Sequence, residues 1–376
     1  MIGRRDILKG AAAAAAMTAG PAFALRAAGV GDDWFERTLV IDGLGGIWDP
    51  YREEGVTRTS DRFWSELQQT GVDAVRITVY PVGNRADGWA RYQESIAQFD
   101  SWFAANPDRL VKIRDAAGIA AARKAGKVGV ILGTQDSSMI GPDLDRLAAM
   151  KADGVMTIQL TYNNRNLAGD GSIEPDNAGL SKLGRATIER IESEKLLLDL
   201  SHGGARTMTE AVEAATRPLV ISHTGARALA DHPRNASDET IRAVADKGGV
   251  VGLYFMPYLA ADMQATSETV VAHADHLLRI AGEDHIGVGT DNGPVSAPFD
   301  AEAKAAMDRS QQERLDRGIA APGEKVGVYP LVEEYYAVDR YERFASDLAK
   351  RGWSERQLDK LLGQNFLRVY GDAWGA

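Results

Sequence analysis

Histidine is scarce in this chain, six in 376 residues, yet two of them close successive apolar runs, Leu196 to His202 (LLLDLSH) and Pro218 to His223 (PLVISH). Imidazole is both a common metal ligand and the side chain best suited to proton transfer near neutrality. A lone histidine at such a place reads as an ordinary core residue. Two of them, one strand–helix unit apart and each at the carboxyl end of a short buried strand, read as a metal site at the mouth of an α/β barrel. Just downstream, His232 to Asn235 (HPRN) offers Arg234, whose guanidinium is shaped to grip a carboxylate in a fork. A later run, His285 to Thr290, is followed by Asp291. A carboxylate there suits a proton shuttle in metal-assisted amide hydrolysis, although Asp291-Asn292-Gly293 is equally good turn chemistry. Cysteine is absent, so any metal is held by nitrogen and oxygen alone.

Positioning such residues takes a parallel sheet, and the chain alternates short apolar runs with longer amphipathic ones in the manner of βα units. Eight runs read as strands: 38–42, 72–79, 128–132, 155–160, 196–200, 218–222, 249–253 and 285–290. Helical patterns fall between them, for example over 143–151, 184–194, 207–216 and 237–247, the last with Ser237 as its N-cap. Eight parallel strands close a TIM-type (β/α)8 barrel, which takes about 250 residues plus insertions. Residues from about 300 onward read as an appended C-terminal helical segment. No repeat or linker divides residues 25–376, which are expected to form a single barrel domain.

Apolar residues make up 44% and charged residues 26%, the balance of a globular enzyme, and the net charge of −10 excludes a basic nucleic-acid footprint. Residues 1–24 have a basic start with Arg4 and Arg5, an alanine-rich stretch and an Ala22-Phe23-Ala24 ending. They resemble a twin-arginine export signal. The processed protein is then expected in the periplasm without a stable membrane anchor, since no later run reaches the roughly 18 apolar residues of a span.

With these motifs in order, the sequence resembles the membrane dipeptidase (renal dipeptidase) family of zinc enzymes on an amidohydrolase-like barrel. The likeness runs from about Leu39 to Tyr370. It is densest in GLSKLGR (Gly179 to Arg185), DLSH, SHTGARAL, HPRN with Asp238 after it, GGVVGL, DHIGVGTD and the closing LLGQNFLRVY. The resemblance implies that His202 and His223 are zinc ligands, Asp291 the acid/base residue and Arg234 the grip on a substrate carboxylate. It also implies dipeptides or related small amides as substrates, and a frequently dimeric assembly.

Three departures bear on chemistry. The family's first strand ends in a His-x-Asp pair that holds one of two zincs, whereas this chain has Leu44-Gly45-Gly46. The family's metal-bridging glutamate falls on Gln135, with Asp136 beside it. A histidine that contacts substrate or oxyanion falls on Tyr162, whose phenol can still donate a hydrogen bond. The two-zinc site is therefore not expected to form. Three readings follow: a hydrolase with one ion at most on His202 and His223, completed by Gln135, Asp136 or Asp291; a metal-free acid/base enzyme acting on a modified peptide; or a binding protein that keeps the fold without catalysis.

Overall fold

The computed structural model describes residues 31–375 apart from 32 and 296–298; the export signal expected over 1–24 lies outside the described residues. Nine parallel strands form one sheet: β1 (Ile41–Asp42), β2 (Ala74–Val79), β3 (Leu110–Lys112), β4 (Val128–Thr134), β5 (Val155–Gln159), β6 (Leu197–Asp199), β7 (Val220–Thr224), β8 (Val250–Leu253) and β9 (Ile286–Val288). The sheet closes because β2 pairs with β4 as well as with β1, and β1 pairs with β9. Eight strands make the barrel, and each falls within or overlaps one of the eight apolar runs. The unexpected β3 pairs only with the first residues of β4, and β5 takes over the same edge after a register shift at Leu132/Gly133. At three residues, β3 is too short to show an alternation in sequence.

Alternation along β2 shows how the barrel is layered. Val75, Ile77 and Val79 point outward and join the apolar layer between sheet and helices, while Ala74 points inward and joins a second cluster. That inner cluster fills the amino-terminal end of the barrel with Ile41, Ile131, Met156, Leu197, Val220 and Val250, closed from below by Phe366, Tyr370 and Trp374 of the helix Asn365–Trp374. The Phe366 ring rises between β1 and β9 only because Gly43 and Gly287 have no side chain; a Cβ on either would lie 2.2 or 2.4 Å from it. Above this apolar floor, Arg76 and Asp199 form an ion pair wholly inside the barrel (Nη1 to Oδ2 2.6 Å), and above that Thr78 of β2 meets Gln135. The inward face therefore passes from apolar through ionic to polar toward the mouth.

The helices expected from sequence occur at Asp145–Asp153, Lys182–Ser193, Ala205–Ala214 and Asp238–Asp246, shifted by no more than a few residues. Caps set two of the starts: Ser181 accepts from Gly184 N, and Ser237 accepts from Thr240 N. The segment after 300 is helical over Ala301–Asp316, Arg340–Lys350 and Glu355–Trp374, where Lys360–Gln364 widens into a π turn. It is not merely appended. Tyr341 donates to buried Asp42 of β1 (2.8 Å), Phe366 plugs the floor, and the helix Ala301–Asp316 reaches the mouth.

Because the Phe366 ring is fully enclosed, Phe366→Ala is expected to cost about 3–5 kcal/mol, read as a lower midpoint in urea unfolding with an unchanged slope.

Candidate active site at the barrel mouth

Local backbone irregularities, more than strand ends, aim the two histidines. His223 lies inside β7, not after it, where the pairing with β8 shifts between Ile221 and Thr224; such a bulge redirects a side chain that strict alternation would send elsewhere. His202 stands three residues beyond β6 in the left-handed region (φ 63°). Their rings meet edge to face with centroids 4.9 Å apart, and Tyr162 stacks on His202 at 4.1 Å.

Hydrogen bonding fixes which ring nitrogen carries the proton. Asn163 donates its amide to the Ile319 carbonyl (2.8 Å), so its Oδ1 faces His202 Nδ1 at 2.6 Å and must accept a proton from it. Ser222 spends its own proton on Asp199 (2.6 Å) and accepts from Arg76 (2.8 Å), so His223 Nδ1, at 2.8 Å, must also be the donor. Both rings therefore turn an unprotonated Nε2 into the mouth, and both Nε2 atoms are buried without a partner among the described residues. Burial, then the charge of Arg234, holds both histidines well below their ordinary range, so they stay neutral. An Nδ1 held by a fixed acceptor with a free Nε2 is how proteins present imidazole to a metal.

The other expected residues share this mouth. Asp291 is also left-handed (φ 57°), and its N–H donates to the Leu44 carbonyl (2.8 Å). Withdrawal from solvent raises its carboxyl to about 6, against the pull of Arg234 and Arg314. Arg234 is 3% exposed, and its guanidinium makes no hydrogen bond or ion pair among the described residues; Nη2 is buried and bare, and the guanidinium lies 5.8 Å from the Tyr254 ring. Gln135 donates to Thr78 Oγ1 (2.8 Å), and its carboxamide oxygen meets no donor among the described residues.

Carboxylates that might have completed a metal site are occupied elsewhere. Asp136 is enclosed by Ser137 N, Ser138 N and Oγ, and Asn166 Nδ2, and Asp49 caps Tyr51 N and Ser60 N. Asp136 thus anchors a turn. Where the family has its first-strand pair, Leu44 is fully buried and the Trp48 ring lies 2.7 Å from where a Cβ on Gly46 would sit. No group of three His, Cys, Asp or Glu residues converges among the described residues. The donors that remain at the mouth to meet an ion are therefore two imidazoles and a carboxamide oxygen.

Arg314 was not expected. It donates to Tyr162 Oη (2.9 Å) and, through Nε and Nη2, to both oxygens of Glu324 (2.8 and 2.9 Å). Burial pushes Glu324 up, but Arg314 outweighs it and holds the carboxyl at about 2. His232 also ties this segment down: its Nε2 donates to the Pro322 carbonyl (2.8 Å) while its Nδ1 accepts from Arg234 N. Nothing in the charged run around Arg314 marks it off from a solvated helix face. His273, His276 and His285 bond within the outer shell, to Leu259 O, Asp238 and Gly249 O. Asp170 is buried and holds Arg165 and Ala178 N.

An eight-stranded parallel barrel with imidazoles, an aspartate and a bare arginine at its carboxyl-terminal mouth defines an amidohydrolase-like fold. Residues 53–307 match the membrane dipeptidase family, peptidase family M19, and the chain belongs to that family. It is 32% identical over 239 residues to an uncharacterised Klebsiella pneumoniae protein encoded 5′ of pqqA, covering 61% of this chain and 76% of the relative. An amidohydrolase from Pseudomonas aeruginosa superposes with a TM-score of 0.78 at 27% identity over 92% of this chain and 99% of that one. A Rhodobacter sphaeroides metallopeptidase, solved with a phosphinate mimic of the dipeptide L-Ala-D-Ala, shares the fold at a TM-score of 0.71 and 19% identity, over 90% of this chain and all of that one.

Two aspartates define a pH window. Burial raises Asp42 and Asp291 each to about 6 from 3.8. Each therefore contributes stability that is lost as pH rises from about 4 to 6, while His202 and His223, held well below their ordinary range, take up protons only on unfolding and act in the opposite direction. In urea unfolding of metal-free protein, the stability of Asp291→Asn relative to wild type is therefore expected to rise as pH rises from about 4 to 6, because the variant lacks the contribution that wild type loses there.

Proposed function

We propose that the protein hydrolyses the peptide bond of a dipeptide, or a related small amide bearing a carboxylate, with one divalent ion at most. The observation that carries this reading is Arg234. A buried guanidinium without a counter-ion is costly, by several kcal/mol, and its planar fork matches a carboxylate. Set beside Asp291 and two imidazole lone pairs, it marks where an anionic substrate end would sit and which bond would lie over the reacting groups.

In this reading Arg234 binds the terminal carboxylate and so orients the scissile amide. Asp291, with a carboxyl raised to about 6, takes a proton from the attacking water and passes it to the leaving nitrogen. Tyr162 donates toward the carbonyl oxygen as it gains charge. Zinc is the ion the family implies, and His202 and His223 would hold it through Nε2; when bound, such an ion acidifies a water and polarises the carbonyl. The lack of a carboxylate as third ligand favours a second reading, in which no ion is held and Asp291 and the imidazoles work alone as acid and base. The Arg4-Arg5 start supports export by the twin-arginine route, which Arg4→Lys/Arg5→Lys should abolish in a periplasmic fractionation.

Arg234→Met is expected to raise KM for a dipeptide by about 10- to 100-fold, the value of roughly 1.5–3 kcal/mol for a charged hydrogen-bonded contact, and a C-terminally amidated dipeptide should suffer the same loss with wild-type protein. Asp291→Asn should lower kcat by about 10²–10⁴-fold. Elemental analysis should find close to one zinc per chain, lost in His202→Ala. Zinc-free protein whose turnover survives chelation but not Asp291→Asn would establish the second reading instead.

A further inference from the structure

The residues from Ala301 to Glu324 lie across the barrel mouth, and one of their side chains reaches a residue of the site. The Asn163 amide donates to Ile319 O, His232 Nε2 to Pro322 O, and Arg317 to Val82 O (2.9 Å), while Tyr258 donates its hydroxyl to Glu324. Glu324 also accepts from Gln311 Nε2 (2.8 Å) and Ala321 N (2.9 Å). A carboxylate fixed by so many donors holds Arg314 rigidly through both of its oxygens. The remaining guanidinium nitrogen, Nη1, is directed to Tyr162 Oη.

A phenol has one proton to give and two lone pairs with which to accept. Arg314 occupies a lone pair of Tyr162, and the Tyr162 proton meets no acceptor among the described residues. The ring cannot swing to find one, because it is 7% exposed and stacked on His202. A donation from a cation also polarises the phenol and strengthens the bond it gives in turn. We propose that Arg314 is a positioning residue, which fixes and polarises Tyr162 so that its hydroxyl proton meets the carbonyl oxygen as that oxygen turns into an oxyanion. This rests on the amide-hydrolase reading above. It differs from a second anion-binding role for Arg314, because Glu324 already neutralises that guanidinium through two bonds whereas Arg234 has no such partner.

The test combines a double-mutant cycle on dipeptide turnover with calorimetric binding of a phosphinate dipeptide mimic, whose tetrahedral centre resembles the intermediate, all at equal metal content. Tyr162→Phe is expected to lower kcat by about 10²-fold, as for loss of one oxyanion donor, with KM within about threefold. Arg314→Met should lower kcat by about tenfold, with partial recovery in Arg314→Lys. Placed in the Tyr162→Phe background, Arg314→Met should cost less than about twofold more, because the residue it acts through is gone. Phosphinate affinity should fall in step with kcat while affinity for the product amino acid stays level. Full additivity overturns the proposal, as does an equal loss in Arg317→Gln, which loosens the same segment without touching Tyr162. A pure KM effect of Arg314→Met assigns it to substrate anchoring and also overturns it. Wild-type turnover with an unaffected Tyr162→Phe overturns this inference alone; no turnover and no preference for the phosphinate over a planar dipeptide overturns the hydrolase reading with it.

Discussion

The buried ion pair between Arg76 and Asp199 organises the site above it. Both side chains are almost completely withdrawn from water (1% and 0% exposed), an arrangement that holds only where geometry is good and the remaining donors and acceptors are satisfied. They largely are: Asp199 accepts from Ser201 N and Oγ and from Ser222 N and Oγ, and Arg76 also donates to Ser222 and to the Thr134 carbonyl at the end of β4. One consequence is structural, because the pair ties β2, β4, β6 and β7 across the barrel. The other is chemical. Since Ser222 gives its proton to Asp199, His223 can only donate to Ser222, and the lone pair that faces the mouth is fixed from beneath.

Arg76, Arg234 and Arg314 differ in how they are paired, and that separates their work. Arg76 is neutralised by Asp199 and Arg314 by Glu324, both with short bonds. These two shape what lies next to them. Arg234 alone is bare, and in a low-dielectric mouth an unpaired guanidinium is the strongest available attraction for a carboxylate. Its charge also helps to keep His202 and His223 neutral and opposes the upward shift of Asp291.

Most of the scaffold was legible in the sequence because a barrel strand buried on both faces reads as a continuous apolar run. The eight strands follow from those runs; His202, His223 and Asp291 stand at or near their ends, and Arg234 follows in the loop after the strand that carries His223. The manner in which those side chains point inward was not legible. His202 and Asp291 adopt left-handed backbone and His223 sits on a register shift, and no alternation rule encodes such local departures. Asp136 read as a spare ligand because sequence shows proximity to Gln135 but not the serine and asparagine donors that claim it. Arg314 was invisible for a different reason. It lies 152 positions from Tyr162, in a helix whose charged run matches a solvated surface, so only the closing of the chain over the mouth gives it a role.

The altered first strand is best understood together with these cations. Replacing a His-x-Asp pair by Leu44 and Gly46 removes an imidazole and an anion from one side of the mouth, and burying Leu44 makes that side apolar. An ion there would face hydrocarbon and would lack the charge compensation that a bridging carboxylate provides, since Gln135 is neutral. The charge of Arg234, which reaches His202 and has no counter-ion among the described residues, would add repulsion against a further dication. Loss of ligand charge and the placement of fixed cations thus act in the same direction. Positive charge at the mouth is carried instead by Arg234, which has no counter-ion among the described residues, and beside it by Arg314, which Glu324 holds in place.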